Sequence, residues 1–281
     1  MELNLFDNIF SHEPSGSSCA GRPSKFIRWC RRHHKDSLDT FYTENHLDLV
    51  FQHTNRPGKK YAWLIESKYI LPTQLNKVVS NLSKYTAVYD QIFTNCDDLI
   101  RMNPDKCKWV TIGGVTSTYT DPSTWDRKTK LVSCISSNKR GCAGHIARLE
   151  YVMKHRDQFD LYGRGIRDIR SVNEGLTDYM FSVVIENAQY TTYFSEKILN
   201  CFATGTVPIY RGCPNIGEFF DMNGIILLTD DFDFTTLTRV KYDSMRDAVR
   251  TNYERCKQYE VAEDYIYINY LVNNNQRITC L

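Results

Sequence analysis

The sequence predicts an α/β fold in which two Rossmann-like domains face a cleft. Three observations predict it. Apolar segments of strand length alternate with amphipathic segments of helix length in both halves of the chain. A polar stretch that contains a proline, residues 115–129, separates the two series, and 281 residues suffice for two domains of ordinary size. We expect an N-terminal domain over residues 1–125 and a C-terminal domain over residues 126–281.

The N-terminal half begins with residues 1–45, which we expect to be irregular because residues 11–24 are rich in Ser, Gly and Pro. The alternation starts after them. Short apolar runs predict strands, and apolar residues at helical spacing predict helices. The predicted elements are strand 46–51, strand 60–66, helix 74–85, strand 88–94, helix 97–102 with Asn95 as its N-cap, and strand 108–112.

The C-terminal half repeats the pattern more regularly. Strands are predicted over residues 130–136, 159–163, 179–186, 207–210 and 224–228, and helices over residues 144–155, 195–203, 216–220 and 242–259. In open α/β sheets the ligand lies beyond the carboxyl ends of the strands. Polar residues that directly follow a predicted strand are therefore the candidates for a functional site.

The composition argues against several classes of protein. The net charge is +2 and the one dense basic cluster is Arg28–Lys35, so we expect no nucleic-acid partner. No apolar run reaches the roughly 18 residues of a membrane span, and the N-terminus does not resemble a signal peptide. The ten cysteines include no C-x-x-C pair and several lie in apolar runs, which is typical of reduced thiols. We expect no membrane span, and a cytoplasmic location unless the sequence is a fragment of a longer membrane-anchored chain.

The first candidate site segment is SSNKRGCAGHIAR, residues 136–148, which follows a predicted strand and opens a predicted helix. Its basic residues, its two glycines and the free N–H groups of a helix N-terminus suit a phosphate. An ordinary capped loop between a strand and a helix would have a similar composition, so this segment alone does not decide between the two interpretations.

The second candidate segment is IENAQYTTYFSEK, residues 185–197. A strand ends in Glu186-Asn187, and a helix begins at Ser195. Lys197 lies in the first turn of that helix, where the helix dipole disfavours a cation, and this suggests a bound anion nearby. A leaving diphosphate would be such an anion. Glu196 could bond ribose hydroxyls, or it could be an acid at a helix start.

The block YMFSVVIENAQYTTYFSEKILNCFATGTVPIYRGCPNIGEFF, residues 179–220, resembles the donor-binding signature of the family-10 α1,3/α1,4-fucosyltransferases. That signature has the pattern aromatic-x-Glu-Asn, then Y-x-[TS]-E-K, an apolar helix and a P-[IV]-[YV]-x-G strand. Ile185 stands before Glu186 where the family often has Phe. SSNKRGCAGHIAR resembles the family's Ser-Asn segment with its following Arg, and WLIESKYI, residues 63–70, resembles its E-S-P segment. Lys68 stands where the family has that proline.

The resemblance implies a GT-B-type architecture and an inverting transfer of L-fucose from GDP-fucose to a hydroxyl of an oligosaccharide acceptor, with an α1,3-type linkage. It implies that the C-terminal domain binds the donor and the N-terminal domain binds the acceptor. GDP-fucose is the donor substrate, and no cofactor is required. A divalent cation is not indicated.

The resemblance also implies roles for single residues. Glu66 would be the general base that deprotonates the acceptor, as direct displacement at an anomeric carbon requires. Arg148 and Lys197 would hold the diphosphate. Glu186 would contact the fucose or anchor the loop, Tyr193 would pack against or bond the phosphates, and Glu196 would bond the ribose hydroxyls. The remaining implied donor-binding residues are Ser137, Asn138 and Asn187.

Two alternatives stay open at this point. A related transferase could use a different GDP-sugar, because contacts to phosphate and ribose do not recognise the sugar. A non-catalytic relic of the fold could bind a nucleotide or a glycan without turnover. Asp231 and Asp233 form a D-x-D pattern, yet their Thr- and Asp-rich surroundings also read as a turn or a helix start, and we expect no metal ligands there. The seven histidines lack the spacing of paired zinc ligands.

Overall fold

The computed structural model describes residues 1–7, 17–19, 21–31 and 33–272. The chain forms two compact units: Met1–Gly114 with the chain from Tyr259 onward, and Val115–Gln258. The division precedes the boundary that we expected after residue 125, because Trp125 is part of the second unit's core. The C-terminal segment returns to the first unit, where Val261 forms a β-bridge with Gly114.

The first unit contains a six-stranded parallel sheet in the order β2-β1-β3-β4-β5-β6. The strands are β1 (Glu2–Phe6), β2 (Arg28–Cys30), β3 (Thr40–Thr43), β4 (Lys60–Leu64), β5 (Gln91–Thr94) and β6 (Cys107–Trp109). Three of them lie within residues 1–45, so the prediction of an irregular segment there was wrong. Asn4 interrupts the apolar pattern of β1, but it is buried and its side chain donates to the carbonyl oxygens of Lys35 and Leu38.

The predicted strand 46–51 was also wrong. A 3-10 helix covers Glu44–Phe51, and its buried Leu47 and Val50 are three residues apart, as a helical face requires. The predicted helix 74–85 breaks at Asn81 into α1 (Pro72–Ser80) and α2 (Leu82–Thr86). The remaining helices of the first unit are α3 (Asp97–Met102), whose N-cap is Cys96 rather than Asn95, and α7 (Ala262–Ile266).

The second unit contains a five-stranded parallel sheet in the order β11-β10-β9-β7-β8. Its strands are β7 (Lys130–Ile135), β8 (Asp160–Tyr162), β9 (Tyr179–Ile185), β10 (Val207–Arg211) and β11 (Ile226–Leu227), and its helices are α4 (Ala143–Lys154), α5 (Glu196–Ala203) and α6 (Arg239–Cys256). The predicted helix 216–220 is a 3-10 turn over Ile216–Glu218, and α6 begins early because the Thr238 side chain caps it.

Two parallel sheets with intervening helices confirm the predicted α/β class. The nine cysteines that the structure describes are free thiols, and most are buried, as expected. Cys280 lies outside the described residues. Within those residues, no helix combines the length and the apolar character needed to cross a membrane.

Candidate functional site

The site in the second unit is built where β7 and β9, neighbours in the sheet, reach their carboxyl ends. Helix α4 follows β7, and the loop that begins with Glu186-Asn187 follows β9. Gly144, in the first turn of α4, lies so close to this loop that a β-carbon there would be 1.8 Å from the carbonyl oxygen of Asn187. The glycine therefore allows the N-terminus of α4 to lie directly against the loop after β9.

Glu186 is the buried centre of this loop, with 2% of its surface exposed. Its carboxylate accepts hydrogen bonds from the Ser195 backbone N–H at 3.0 Å and from the Ser195 hydroxyl at 2.9 Å. The Lys197 ammonium donates to the other oxygen at 3.0 Å. Ser195 is also the N-cap of α5. The end of β9 and the start of α5 are thus joined by one carboxylate whose burial is compensated by a cation and hydrogen bonds.

Lys197 is ion-paired rather than alone. Burial lowers its pKa, but the charges of Glu186 and Glu196 outweigh burial and raise the pKa above its ordinary value. Burial raises the pKa of Glu196, but the Lys197 charge and hydrogen bonds lower it overall. Glu186 therefore provides an intramolecular reason for a lysine at this helix start. The argument from the helix dipole does not by itself require a bound anion.

Arg148 is a buried charged side chain that no carboxylate among the described residues compensates. It lies on α4 with 7% of its surface exposed, and its buried Nε has no hydrogen-bond partner. Among the described residues, no carboxylate forms an ion pair with it. Its charge opposes protonation of both Lys197 and His145, so the three side chains lie within electrostatic range of one another. A buried cation without an anion costs stability, which is typical of a site that receives an anionic ligand.

His145, one turn before Arg148, belongs to the same group. It is buried and its Nδ1 has no hydrogen-bond partner. Burial lowers its pKa, and the charges of Arg148, Lys139 and Lys197 lower it further. We call His145, Arg148 and Lys197 the cationic cluster. The sequence had indicated the two segments, but the burial of His145 and Arg148 beside the partly exposed Lys197 is visible only in the structure.

Asn187 and Tyr193 contact each other. The Tyr193 hydroxyl donates to the Asn187 side-chain oxygen. The buried Tyr193 ring packs against the Tyr190 ring with 4.7 Å between centroids. These contacts order the loop between β9 and α5.

Ser137 and Asn138 lie in the loop between β7 and α4. The Asn138 backbone N–H donates to the Arg164 carbonyl oxygen at 3.1 Å. Its exposed side chain lies against Gly165, where a β-carbon would be 2.2 Å from the Asn138 side chain. Gly165 has φ +75°, a backbone conformation that favours glycine. This contact fixes the Asn138 end of the loop, and Ser137 beside it is half-buried.

Glu66 lies in the first unit, two residues beyond β4, and is half-buried. Its backbone N–H donates to Oε1 of the buried Glu44 at 2.9 Å. Glu44 was not among the residues predicted from the sequence.

Asp231 and Asp233 behave as residues of a turn. The Asp233 carboxylate caps the 3-10 helix Phe234–Thr236 by accepting from the Thr235 backbone N–H at 2.9 Å, and these bonds lower its pKa. Within the part of the chain that the structure describes, one group has the side-chain spacing of a metal site, Cys96, Asp97 and Asp98. The Lys68 ammonium already pairs with both of its aspartates, at 3.2 and 3.5 Å.

Fold and site together define a two-unit α/β protein with the cationic cluster at the carboxyl ends of its second sheet. Its fold is similar to that of a crystal structure of an α1,3-fucosyltransferase with GDP. The TM-score is 0.50 at 14% identity, over 89% of this chain and 81% of that one.

Sequence comparison gives the family. The sequence model described as the C-terminal part of glycosyltransferase family 10 (fucosyltransferase) matches residues 125–268, just over half of the chain. The chain belongs to glycosyltransferase family 10, the fucosyltransferase family.

Two curated relatives match over shorter stretches. The chain is 30% identical over 76 residues to the α-(1,3)-fucosyltransferase FucT of Helicobacter pylori, and this stretch covers 27% of the chain and 16% of the relative. It is 37% identical over 75 residues to a fucosyltransferase-like protein of Arabidopsis thaliana, over 25% of the chain and 14% of the relative. The matched stretches thus span less than a fifth of either relative.

Proposed function

We propose that this protein transfers L-fucose from GDP-fucose to a hydroxyl of an oligosaccharide acceptor, with inversion at the anomeric carbon and an α1,3-type linkage. Family membership supports the donor and the reaction class. The observation that carries the proposal is Arg148, a buried guanidinium that has no carboxylate partner among the described residues. A diphosphate would supply the missing negative charge.

The cationic cluster would hold the diphosphate of the donor. The Arg148 guanidinium would donate hydrogen bonds to the phosphate oxygens, and the Lys197 ammonium would add a second positive charge. Glu186 fixes the direction of Lys197 through their 3.0 Å ion pair, which supports the interpretation of Glu186 as an anchor of the loop. Glu196 on the same helix turn would accept from the ribose hydroxyls. When the bond to fucose breaks, negative charge grows on the leaving GDP, and fixed cations stabilise that charge.

Glu66 would be the base. Its carboxylate takes the proton from the acceptor hydroxyl, the hydroxyl oxygen bonds to the anomeric carbon of fucose, and GDP leaves with the bonding electrons. The first unit would then bind the acceptor and the second unit the donor. The two cations take the role that a metal ion has in other transferases, so no divalent cation is required in this proposal. A cytoplasmic location remains a prediction.

Titration of the protein with GDP, GDP-fucose, GDP-mannose and UDP-galactose tests the donor. We expect binding of GDP and a preference for GDP-fucose, with transfer to an oligosaccharide in a subsequent acceptor screen. Equal affinity for GDP-fucose and GDP-mannose would favour a transferase with another sugar donor. GDP-fucose binding without turnover on any acceptor would favour a binding protein, and no binding of GDP would contradict the proposal.

A further inference from the structure

Glu44 directly follows β3 in the first unit and has two unusual properties. It is buried, with 2% of its surface exposed, and its backbone has φ +42°, a left-handed conformation that residues other than glycine rarely adopt. Such a conformation persists only where the surroundings enforce it, and such residues concentrate at functional sites. The contacts of this side chain show what it does.

One oxygen of Glu44 holds the backbone that leads to Glu66. Oε1 accepts the N–H of Ile65 at 2.5 Å and the N–H of Glu66 at 2.9 Å. From the other side, the buried Asn95 side chain, which follows β5, donates to the Ile65 carbonyl oxygen at 2.7 Å. Strands β3 and β5 are the two neighbours of β4 in the sheet. The chain beyond β4 is therefore held by a side chain from each neighbouring strand end.

We propose that Glu44 and Asn95 are positioning residues that set the direction of the Glu66 side chain by fixing the Ile65 and Glu66 backbone. The inference rests on the proposed function in which Glu66 is the base. The Glu44 carboxylate is too deeply buried to meet an acceptor, whereas Glu66 is half-buried. Glu44 therefore acts through Glu66, because a base must lie within hydrogen-bond reach of the proton that it takes.

Electrostatics agree with a purely positional role. Burial raises the pKa of Glu44 to about 7, although the two backbone N–H groups work against that rise. The Glu66 charge raises it further, which indicates that the two carboxylates are close. A proton on Glu44 near neutral pH avoids a full second negative charge beside the base, and Oε1 can still accept both N–H groups.

Transfer rates of a double-mutant cycle test this inference. Glu44→Ala, Glu44→Gln and Asn95→Ala are each made in the parent and in Glu66→Ala, and GDP titration checks that each variant retains the donor site. We expect Glu44→Ala to lower kcat by about 10- to 100-fold, the scale of an error in the position of a catalytic group, with GDP affinity unchanged. Glu44→Gln keeps an acceptor oxygen and should stay within severalfold of the parent.

Comparison of the parent and Glu66→Ala backgrounds distinguishes a positional role of Glu44 from a role in folding. If Glu44 acts through Glu66, Glu44→Ala costs nothing further once Glu66 is already alanine. Equal losses in both backgrounds would overturn the inference. Glu263→Ala is the matched control, because Glu263 is a buried carboxylate of the same unit that accepts the Ser18 N–H at 2.7 Å. Any loss that it causes should be the same in both backgrounds.

The remaining outcomes separate this inference from the proposed function. Loss of transfer in Glu66→Ala together with parent rates in Glu44→Ala and Asn95→Ala would overturn the positional role alone. A parent rate in Glu66→Ala would overturn the base assignment and the inference together. If Glu44→Ala does not fold, Asn95→Ala carries the same cycle, since it releases the same peptide from the other side.

Discussion

Buried carboxylates occur just beyond strands in both units, and they are compensated in opposite ways. Glu186, after β9, accepts hydrogen bonds from the Lys197 ammonium and the Ser195 hydroxyl. Glu44, after β3, accepts hydrogen bonds from two backbone N–H groups, and no cation among the described residues pairs with it. The candidate site of the second unit is therefore rich in positive charge, and no described carboxylate compensates the charge of Arg148. In the first unit, the corresponding buried carboxylate binds backbone N–H groups instead.

In the proposed function, this difference corresponds to two chemical tasks. Departure of a diphosphate needs fixed positive charge, and activation of a hydroxyl needs a correctly aimed base. Four substitutions, in order of decreasing expected effect, each remove one of the charged or titratable groups in this comparison.

Glu66→Ala should reduce fucose transfer by about 10²- to 10⁴-fold, the usual contribution of general-base catalysis. GDP affinity should stay at the parent value, because every residue of the cationic cluster is intact. Steady-state transfer assays and GDP titration measure the two effects. Asp105→Ala, which removes an exposed acid of the same unit, is the control. A parent rate in Glu66→Ala would remove the first unit's proposed role in catalysis.

Lys197→Met should lower the free energy of unfolding by about 3–5 kcal/mol, because it leaves Glu186 buried without its cation. Donor binding should be lost as well. Urea unfolding followed by circular dichroism measures the first effect. Lys154→Met, at an exposed position near the end of α4, should change stability by no more than about 0.5 kcal/mol. A similarly small change in Lys197→Met would mean that the ion pair with Glu186 is not needed.

Glu44→Gln should change how stability depends on pH. The folded pKa of about 7 lies above the ordinary value of 4.5, so the protein loses stability as the pH rises through this range. The variant has no such proton to lose. Its free energy of unfolding relative to the parent should therefore increase by about 3 kcal/mol between pH 5 and pH 8. Urea unfolding at the two pH values provides the comparison, and a constant difference would contradict the account.

His145→Gln should remove a pH dependence of donor binding. Burial and the charges of Arg148, Lys139 and Lys197 lower the pKa of His145, so the free protein favours its neutral form. A bound diphosphate favours its protonated form. GDP-fucose should then bind the parent severalfold more tightly at pH 6 than at pH 8, and equally at both in His145→Gln. Calorimetric titration at the two pH values measures the difference, and the same pH dependence in the parent and in His145→Gln would show that His145 lies away from the phosphates.

The sequence predicted those parts of the fold whose signals are local. Strand β9 is apolar apart from Ser182, and Ser195 is a standard N-cap, so the segment 179–203 was predicted nearly to the residue. Strands β1, β2 and β3 were missed. Strands β2 and β3 are only three and four residues long, and β1 contains Asn4, whose side chain bonds carbonyl oxygens 31 and 34 positions away. The break between α1 and α2 at Asn81 has no Gly or Pro to mark it.

The candidate site shows the same limit. Glu66, Arg148, Glu186 and Lys197 were predicted as site residues from motifs, but the contacts of their side chains could not be predicted. Glu44 has no motif, since its role depends on backbone groups 21 and 22 positions away. That no carboxylate of the described residues pairs with Arg148 is a property of packing. Lys197 was predicted to lie near a bound anion, whereas Glu186 already pairs with it. Residue types in the sequence indicated the chemistry of the site, whereas the ion-pair partners of its charged side chains could be identified only in the structure.

GDP-fucose titration of Arg148→Met is the most direct test of the central claim that this buried guanidinium awaits the donor diphosphate. Methionine keeps much of the apolar volume, so the variant should be as stable as the parent or more stable by about 1–3 kcal/mol, since an uncompensated buried charge is removed. Its affinity for GDP-fucose should fall by at least about tenfold, while Arg156→Met, at an exposed position, binds as the parent does. Parent affinity in Arg148→Met, or a large loss of stability in the absence of ligand, would show that Arg148 serves the fold rather than the donor.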